Sequence, residues 1–89
     1  MITSVSFEEA HRLLRELKDP VLLDVREEPE YITGHAADAQ LLPVDEITAE
    51  TAEAAIGEKN NPVLVYCRTG RRSREAAHRL DALGYTEIY

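Results

Sequence analysis

Two short apolar runs constrain the fold of this chain most, because each is too short to form a helix of its own. They are Val21–Val25 and Val63–Tyr66, and each follows a turn signal that contains proline. Such near-continuous runs are typical of strands in a sheet that is covered on both faces. Segments with helical spacing lie between and around them. The pattern predicts an α/β fold, a single small domain with a central, mainly parallel sheet flanked by helices on both faces.

The helical segments are recognised by apolar residues that recur at three and four positions and by terminal signals. Ser6 and Glu9 have the form of a capping box before the first helix, whose apolar positions from Phe7 to Leu17 predict one buried stripe. Four helices are predicted, over residues 7–17, 29–32, 48–56 and 73–83. Two further short strands are predicted, over residues 39–42 and 87–89.

Bulk properties exclude several classes of protein. A formal net charge of −7 argues against a nucleic-acid binder, and no apolar run is long enough to cross a bilayer. The first residues lack the basic and apolar segments of a secretory signal, so we expect a cytoplasmic protein. One cysteine cannot form an internal disulfide or a multi-thiolate metal site, and the three histidines lack paired ligand spacing. We therefore expect no metal and no cofactor.

The most reactive position in the sequence is Cys67, the only cysteine, which follows the second apolar run directly. It opens a predicted strand-to-helix loop, and four of the next seven residues are arginines. Backbone N–H groups in such a loop, the N-terminus of the next helix and nearby guanidinium groups all favour negative charge. The pattern predicts a thiol with a depressed pKa and an anionic substrate. An inert core cysteine is the alternative, which the neighbouring charges disfavour.

A second charged motif, Asp24 and Arg26, follows the first predicted strand and is expected at the same edge of the sheet. Ligands of open α/β sheets bind outside the carboxyl ends of the strands, where these residues would lie. Charged pairs near sheet ends also brace loops. We favour the second interpretation, a structural ion pair, over a catalytic one.

Several motifs in order give the chain a family resemblance. They are Asp24-Val-Arg-Glu-Glu-Pro-Glu-Tyr-Ile-Thr-Gly-His35, Leu42-Pro43, Val65-Tyr-Cys-Arg-Thr-Gly-Arg-Arg-Ser73 and Ala82-Leu-Gly-Tyr85. Together they resemble the rhodanese family of sulfurtransferases from one end of the chain to the other. The resemblance implies a rhodanese-like domain in which Cys67 is catalytic and carries sulfur as a persulfide. It also implies a substrate-binding loop, formed by Arg68, Thr69, Gly70, Arg71, Arg72 and Ser73.

The resemblance implies a thiosulfate sulfurtransferase, with a small anionic sulfur donor and a nucleophilic acceptor such as cyanide, a small thiol or a protein thiol. One alternative is a non-catalytic or relay module that acts with a protein partner. Another is a cysteine phosphatase or arsenate reductase, which needs an arginine where this chain has Ser73. Arg72 comes one residue too early for that loop, so the shorter loop favours sulfur over phosphate.

Two departures from the family pattern concern the ends of motifs. After Gly34-His35 the chain has Ala36-Ala37-Asp38 instead of the small apolar residue and glycine that are frequent there. Family domains usually continue beyond the last predicted strand into a glycine-rich closing segment, whereas this sequence ends at Tyr89. We therefore expect one rhodanese-like domain over residues 1–89 without that segment. We also expect a monomer or a weak dimer.

Overall fold

Three parallel strands form the central sheet of the computed structural model, which describes all 89 residues. The strands are β1 (Val21–Asp24), β2 (Gln40–Leu41) and β3 (Val63–Tyr66), in the order β2-β1-β3. In the register of the sheet, Asp24 lies beside Leu41 on one side and Tyr66 on the other. The predicted α/β class with a parallel sheet is confirmed. Because all three strands run the same way, their carboxyl ends meet at one edge.

Four helices and one 3₁₀ turn lie before, between and after the strands. They are α1 (Phe7–Glu16), α2 (Glu28–Thr33), α3 (Ala49–Ile56) and α4 (Arg71–Ala82), with the 3₁₀ turn at Val44–Glu46. The predicted capping box starts α1: the Glu9 N–H donates to Ser6 Oγ at 3.1 Å, and the Ser6 N–H donates to Glu9 Oε1 at 3.0 Å. No helix is both long enough and apolar enough to span a membrane.

Both faces of the sheet are covered at β3, because its consecutive residues Val63 and Leu64 point to opposite faces and are both buried. One face carries the main core. There Val63 and Leu23 pack in one cluster with buried residues of α3 and α4, including Ile56 of α3 and Leu80 of α4. The apolar sides of α3 and α4 therefore cover this face of the sheet. Helix α4 follows β3 in the chain after a short loop.

The start of α1 is less buried than its apolar spacing predicts. Leu13, Leu14 and Leu17 are half-buried, and Phe7 is 78% exposed. The Phe7 ring packs edge-on against His11, with ring centroids 4.5 Å apart. The predicted buried stripe is therefore wrong at this end, and no residue of α1 is completely buried. Phe7 is the first residue of the helix, and the spacing shows which side it lies on but not whether a partner reaches it.

The last predicted strand is present only as isolated bridges. Ile88 pairs in parallel with Val63 at the edge of β3 and with Ile2 near the N-terminus. The Thr3 N–H donates to Ile88 O at 2.8 Å, and the Tyr89 N–H donates to Val63 O at 2.8 Å. The two ends of the chain thus lie side by side next to β3. The pairing of Ile2 has no counterpart in the sequence predictions.

Candidate active site

Cys67 lies where the sequence predicts it, directly after β3 and at the start of the loop that leads into α4. Gly70 ends this loop with φ +87°, in the left-handed region that glycine adopts at low cost. This turn lets α4 begin at Arg71, two residues earlier than predicted. The Gly70 N–H donates to Cys67 Sγ at 3.1 Å, and the Ser73 N–H donates to it at 3.2 Å. Loop and helix N-terminus together form a cradle around the sulfur.

The cradle favours the thiolate form of Cys67. Burial raises the pKa of the Cys67 thiol, but hydrogen bonding to the Ser73 hydroxyl and to the N–H groups of Ser73, Thr69 and Gly70 lowers it more, so the net pKa is below its usual range. The Ser73 hydroxyl also lies 3.0 Å from Gly70 O. With one proton, it can donate to only one of these acceptors at a time. The surrounding donors therefore stabilise the half-buried sulfur as a thiolate, which is the nucleophilic form of cysteine.

The arginines of the loop differ in what they contact. Arg68 and Arg71 are exposed and form no ion pair. Arg72 is instead held by Glu30 of α2, with Nη1 2.6 Å from Oε1 and Nη2 3.0 Å from Oε2. Arg74 is likewise exposed and forms no ion pair. Three guanidinium groups of this region therefore have no counter-charge, while that of Arg72 already binds a carboxylate.

Asp24 and Arg26 form a brace beside the cysteine. The carboxylate of Asp24 is fully buried and accepts from Arg26 Nη2 at 2.7 Å and from the Tyr66 hydroxyl at 2.9 Å. Burial opposes ionisation of Asp24, but these bonds outweigh it and lower its pKa. Arg26 also donates to Gly34 O at 2.7 Å. Since Tyr66 directly precedes Cys67, the network holds the residue that positions the nucleophile, which supports the structural interpretation of this pair.

The Tyr66 hydroxyl links this brace to the loop after α2. It accepts a hydrogen bond from the Ala36 N–H at 3.0 Å while donating to Asp24. Burial raises the pKa of Tyr66, so the hydroxyl keeps its proton. The segment with the unusual Ala36-Ala37-Asp38 sequence is therefore tied to the sheet by a main-chain contact that needs no particular side chain at residue 36.

The structure thus brings together most of the predicted loop and adds one residue to it. The backbone N–H groups of Thr69, Gly70 and Ser73 converge on the sulfur of Cys67. Glu30 is the residue that the sequence did not single out, although it lies within the first quoted motif. Its partner is 42 residues away, and no local pattern connects the two. No three His, Cys, Asp or Glu side chains group in a way that could hold a metal ion.

Comparison with known proteins agrees with this architecture. The chain belongs to the rhodanese-like domain family, which it matches over residues 6–89. Thiosulfate sulfurtransferase GlpE of Coxiella burnetii is 34% identical over 89 residues, which cover 100% of this chain and 79% of that protein. A rhodanese-like domain protein from Staphylococcus aureus has a crystal structure that is similar with a TM-score of 0.80 and 28% identity, covering 98% of this chain and 82% of that one.

A second curated relative is similar over a shorter region. Thiosulfate sulfurtransferase PspE of Escherichia coli is 36% identical over 66 residues, which cover 74% of this chain. The matched region is 62% of PspE, so the chain spans less than two thirds of that relative. The predicted family and fold are confirmed by these comparisons.

Proposed function

We propose that this protein is a sulfurtransferase that moves a sulfane sulfur from thiosulfate, or a similar anionic donor, to a nucleophilic acceptor. The observation that carries the proposal is the cradle of Cys67, whose sulfur accepts hydrogen bonds from the backbone N–H groups of Gly70 and Ser73. Such a cradle stabilises an anionic sulfur both as a thiolate and as a persulfide. The names of the two relatives, both thiosulfate sulfurtransferases, support the same reaction class.

In the first step the Cys67 thiolate attacks the outer sulfur of thiosulfate. A bond forms between Cys67 Sγ and that sulfur, and the sulfur–sulfur bond of thiosulfate breaks. The electron pair of the broken bond leaves with sulfite. The enzyme keeps the transferred atom as a persulfide anion, so the total charge is unchanged and no external reductant is needed.

In the second step a nucleophilic acceptor attacks the outer sulfur of the persulfide. The bond to Cys67 Sγ breaks, and its electron pair restores the thiolate. Cyanide would leave as thiocyanate, and a thiol acceptor would leave as a persulfide of its own. The lowered pKa of Cys67 increases the fraction of thiolate that can attack in the first step. It also makes the thiolate a better leaving group in the second step, so the cradle assists both.

The free arginines supply the recognition of the donor. Arg68 and Arg71 are exposed beside the loop, and their guanidinium groups match the oxyanion face of thiosulfate or of departing sulfite. Arg72 contributes its positive charge from within the ion pair with Glu30, which leaves part of its N–H donors for other partners. Donor binding is therefore assigned mainly to Arg68, Arg71 and the backbone of the loop.

Intact-mass measurement tests the proposal. Incubation with thiosulfate should add the mass of one sulfur atom, and treatment with a reducing thiol should remove it. The Cys67→Ser variant, which differs from the native side chain by one atom, should gain nothing. No adduct on folded wild-type protein would refute the proposal.

The same experiment separates an enzyme from a relay module. Fast return of the unmodified mass on adding cyanide or a small thiol supports a stand-alone sulfurtransferase. Slow release to these reagents, with fast transfer to a protein thiol, supports a relay that acts with a protein partner.

A further inference from the structure

The ion pair between Arg72 and Glu30 joins the active-site helix to α2. Both oxygens of Glu30 accept from the two terminal nitrogens of Arg72, at 2.6 and 3.0 Å, and each side chain is only about a third exposed or less, 27% for Arg72 and 30% for Glu30. Glu30 is held from the other side as well, since its Oε1 accepts the Glu27 N–H at 3.1 Å in the capping box of α2. The carboxylate is therefore fixed in place before any substrate binds.

The charges around Arg72 include the reactive sulfur. Hydrogen bonding to Glu30 raises the pKa of Arg72 most, and Glu30, Cys67 and Glu27 add to this through their charges. Arg72 directly precedes Ser73, whose N–H donates to Cys67 Sγ at 3.2 Å, so Arg72 is within electrostatic reach of the sulfur while a carboxylate occupies its guanidinium. Of the charged groups near Glu30 itself, Arg72 and Arg26 are the cations that lower its pKa.

This arrangement has a direct effect on an incoming anion. Arg72 holds a positive charge near the sulfur, but the negative charge of Glu30 offsets much of it. An anion at Cys67 is therefore attracted less strongly than the four arginines of the loop region suggest. Arg68, Arg71 and Arg74, which are exposed and form no ion pair, remain the main source of attraction.

We propose that Glu30 is a specificity-determining positioning residue, which holds Arg72 beside Cys67 and at the same time limits the preference of the site for anionic over neutral reagents. The inference rests on the proposed function only for the identity of the natural anion. The predicted effect of Glu30 on the electrostatic potential at the Cys67 sulfur can be measured without any sulfur transfer.

Alkylation of Cys67 provides that measurement, because it is the only cysteine of the chain. Iodoacetate is an anion and iodoacetamide is neutral, and both react with the same thiolate. The ratio of their second-order rate constants therefore reports the electrostatic potential at the sulfur, while any change in thiol pKa cancels. In the Glu30→Gln variant we expect this ratio to rise roughly threefold to tenfold, as for one unit charge acting over several ångströms near a protein surface.

The variant is designed to keep the fold. Glutamine at this position of a helix preserves the capping box, since its side-chain oxygen can still accept the Glu27 N–H. The matched control is Glu28→Gln, which makes the same change in net charge on the same helix at an exposed residue that has no bond to Arg72. The control should leave the ratio close to that of the wild type.

A third variant tests whether Glu30 acts through Arg72. Glu30→Gln removes a negative charge and also releases the guanidinium of Arg72, which the carboxylate occupies in the wild type. The second effect is absent in an Arg72→Gln background, so there Glu30→Gln should raise the ratio less than it does in the wild type. An unchanged ratio in Glu30→Gln, an equal rise in Glu28→Gln, or a full effect without Arg72 would each overturn the inference.

Thiosulfate kinetics then separate this inference from the proposed function. If both hold, Glu30→Gln should lower the KM for thiosulfate by at least the same factor, because thiosulfate carries two negative charges, without raising kcat. If the alkylation ratio changes as expected but neither protein takes sulfur from thiosulfate, the proposed function fails and the role of Glu30 stands.

Discussion

Replacing Asp24 by asparagine should be among the most damaging single changes to the stability of this protein. The carboxylate is fully buried and accepts hydrogen bonds from Arg26 Nε at 2.9 Å, from Arg26 Nη2 at 2.7 Å and from the Tyr66 hydroxyl at 2.9 Å. The Asp24→Asn variant keeps the shape of the side chain but removes its charge. It leaves the guanidinium of Arg26, whose side chain is 16% exposed, without the carboxylate to which it is hydrogen-bonded.

The size of the effect follows from this burial. Removing one partner of a buried ion pair costs about 3–5 kcal/mol, because the other charge stays desolvated. A chain of 89 residues is expected to have a free energy of unfolding of about 4–13 kcal/mol. The variant should therefore lose a large share of its stability. The Tyr66→Phe variant removes one hydroxyl from the same network, and should cost about 1–2 kcal/mol.

Urea-induced unfolding, followed by circular dichroism at neutral pH, measures both free energies. We expect the midpoint to fall much further for Asp24→Asn than for Tyr66→Phe, with similar dependence on urea concentration. Exposed ion pairs contribute up to about 1 kcal/mol to stability. A decrease in the free energy of unfolding below that value for Asp24→Asn would therefore refute the argument from burial. Equal losses in the two variants would likewise show that the charge of Asp24 is not what the network depends on.

Two pH-dependent effects follow from the same site. In Ser73→Ala the thiol of Cys67 loses a hydroxyl that lowers its pKa, so that pKa should rise. Alkylation by iodoacetamide should slow by up to about tenfold where the wild-type thiol is ionised and the variant thiol is not, and the rates should converge at high pH; a constant difference at all pH values would contradict this. The pKa of Glu30 is lowered from 4.5 to about 2, mainly by its hydrogen bonds with Arg72. Because the folded value is the lower one, the stabilisation is complete above pH 4.5 and is lost as the pH falls toward 2. Thermal unfolding midpoints should therefore decline less steeply over this range in Glu30→Gln than in the wild type or in Glu28→Gln, and parallel slopes would count against the ion pair.

Local features of the fold could be predicted from the sequence because they depend on neighbouring residues. The capping box of Ser6 and Glu9 involves residues three apart, and the strand Val63–Tyr66 has the predicted bounds. The position of Cys67 at the strand end follows from the same local pattern. The early start of α4 at Arg71 was missed, since it depends on the left-handed conformation of Gly70 and not on apolar spacing.

Features that join distant parts of the chain could not be predicted in this way. The contact of Glu30 with Arg72 spans 42 residues, and the pairing of Ile2 with Ile88 joins the two ends. Neither residue of a pair carries a local sign of its partner. The family resemblance assigns Arg72 to the substrate-binding loop, and only the structure shows the carboxylate that occupies its guanidinium. For the same reason the helical spacing around Phe7 could not show how far it is exposed.

The single cysteine has a consequence for how this protein withstands oxidants. A thiolate that is stabilised by N–H donors is also the form that peroxides oxidise, and the first product is a sulfenic acid. Many redox-active proteins trap that product with a second thiol of their own, but Cys67 has none in this sequence. Repair must then come from thiols in the surrounding solution before irreversible oxidation proceeds. The lifetime of the reactive sulfur is therefore a property of its medium as much as of the fold.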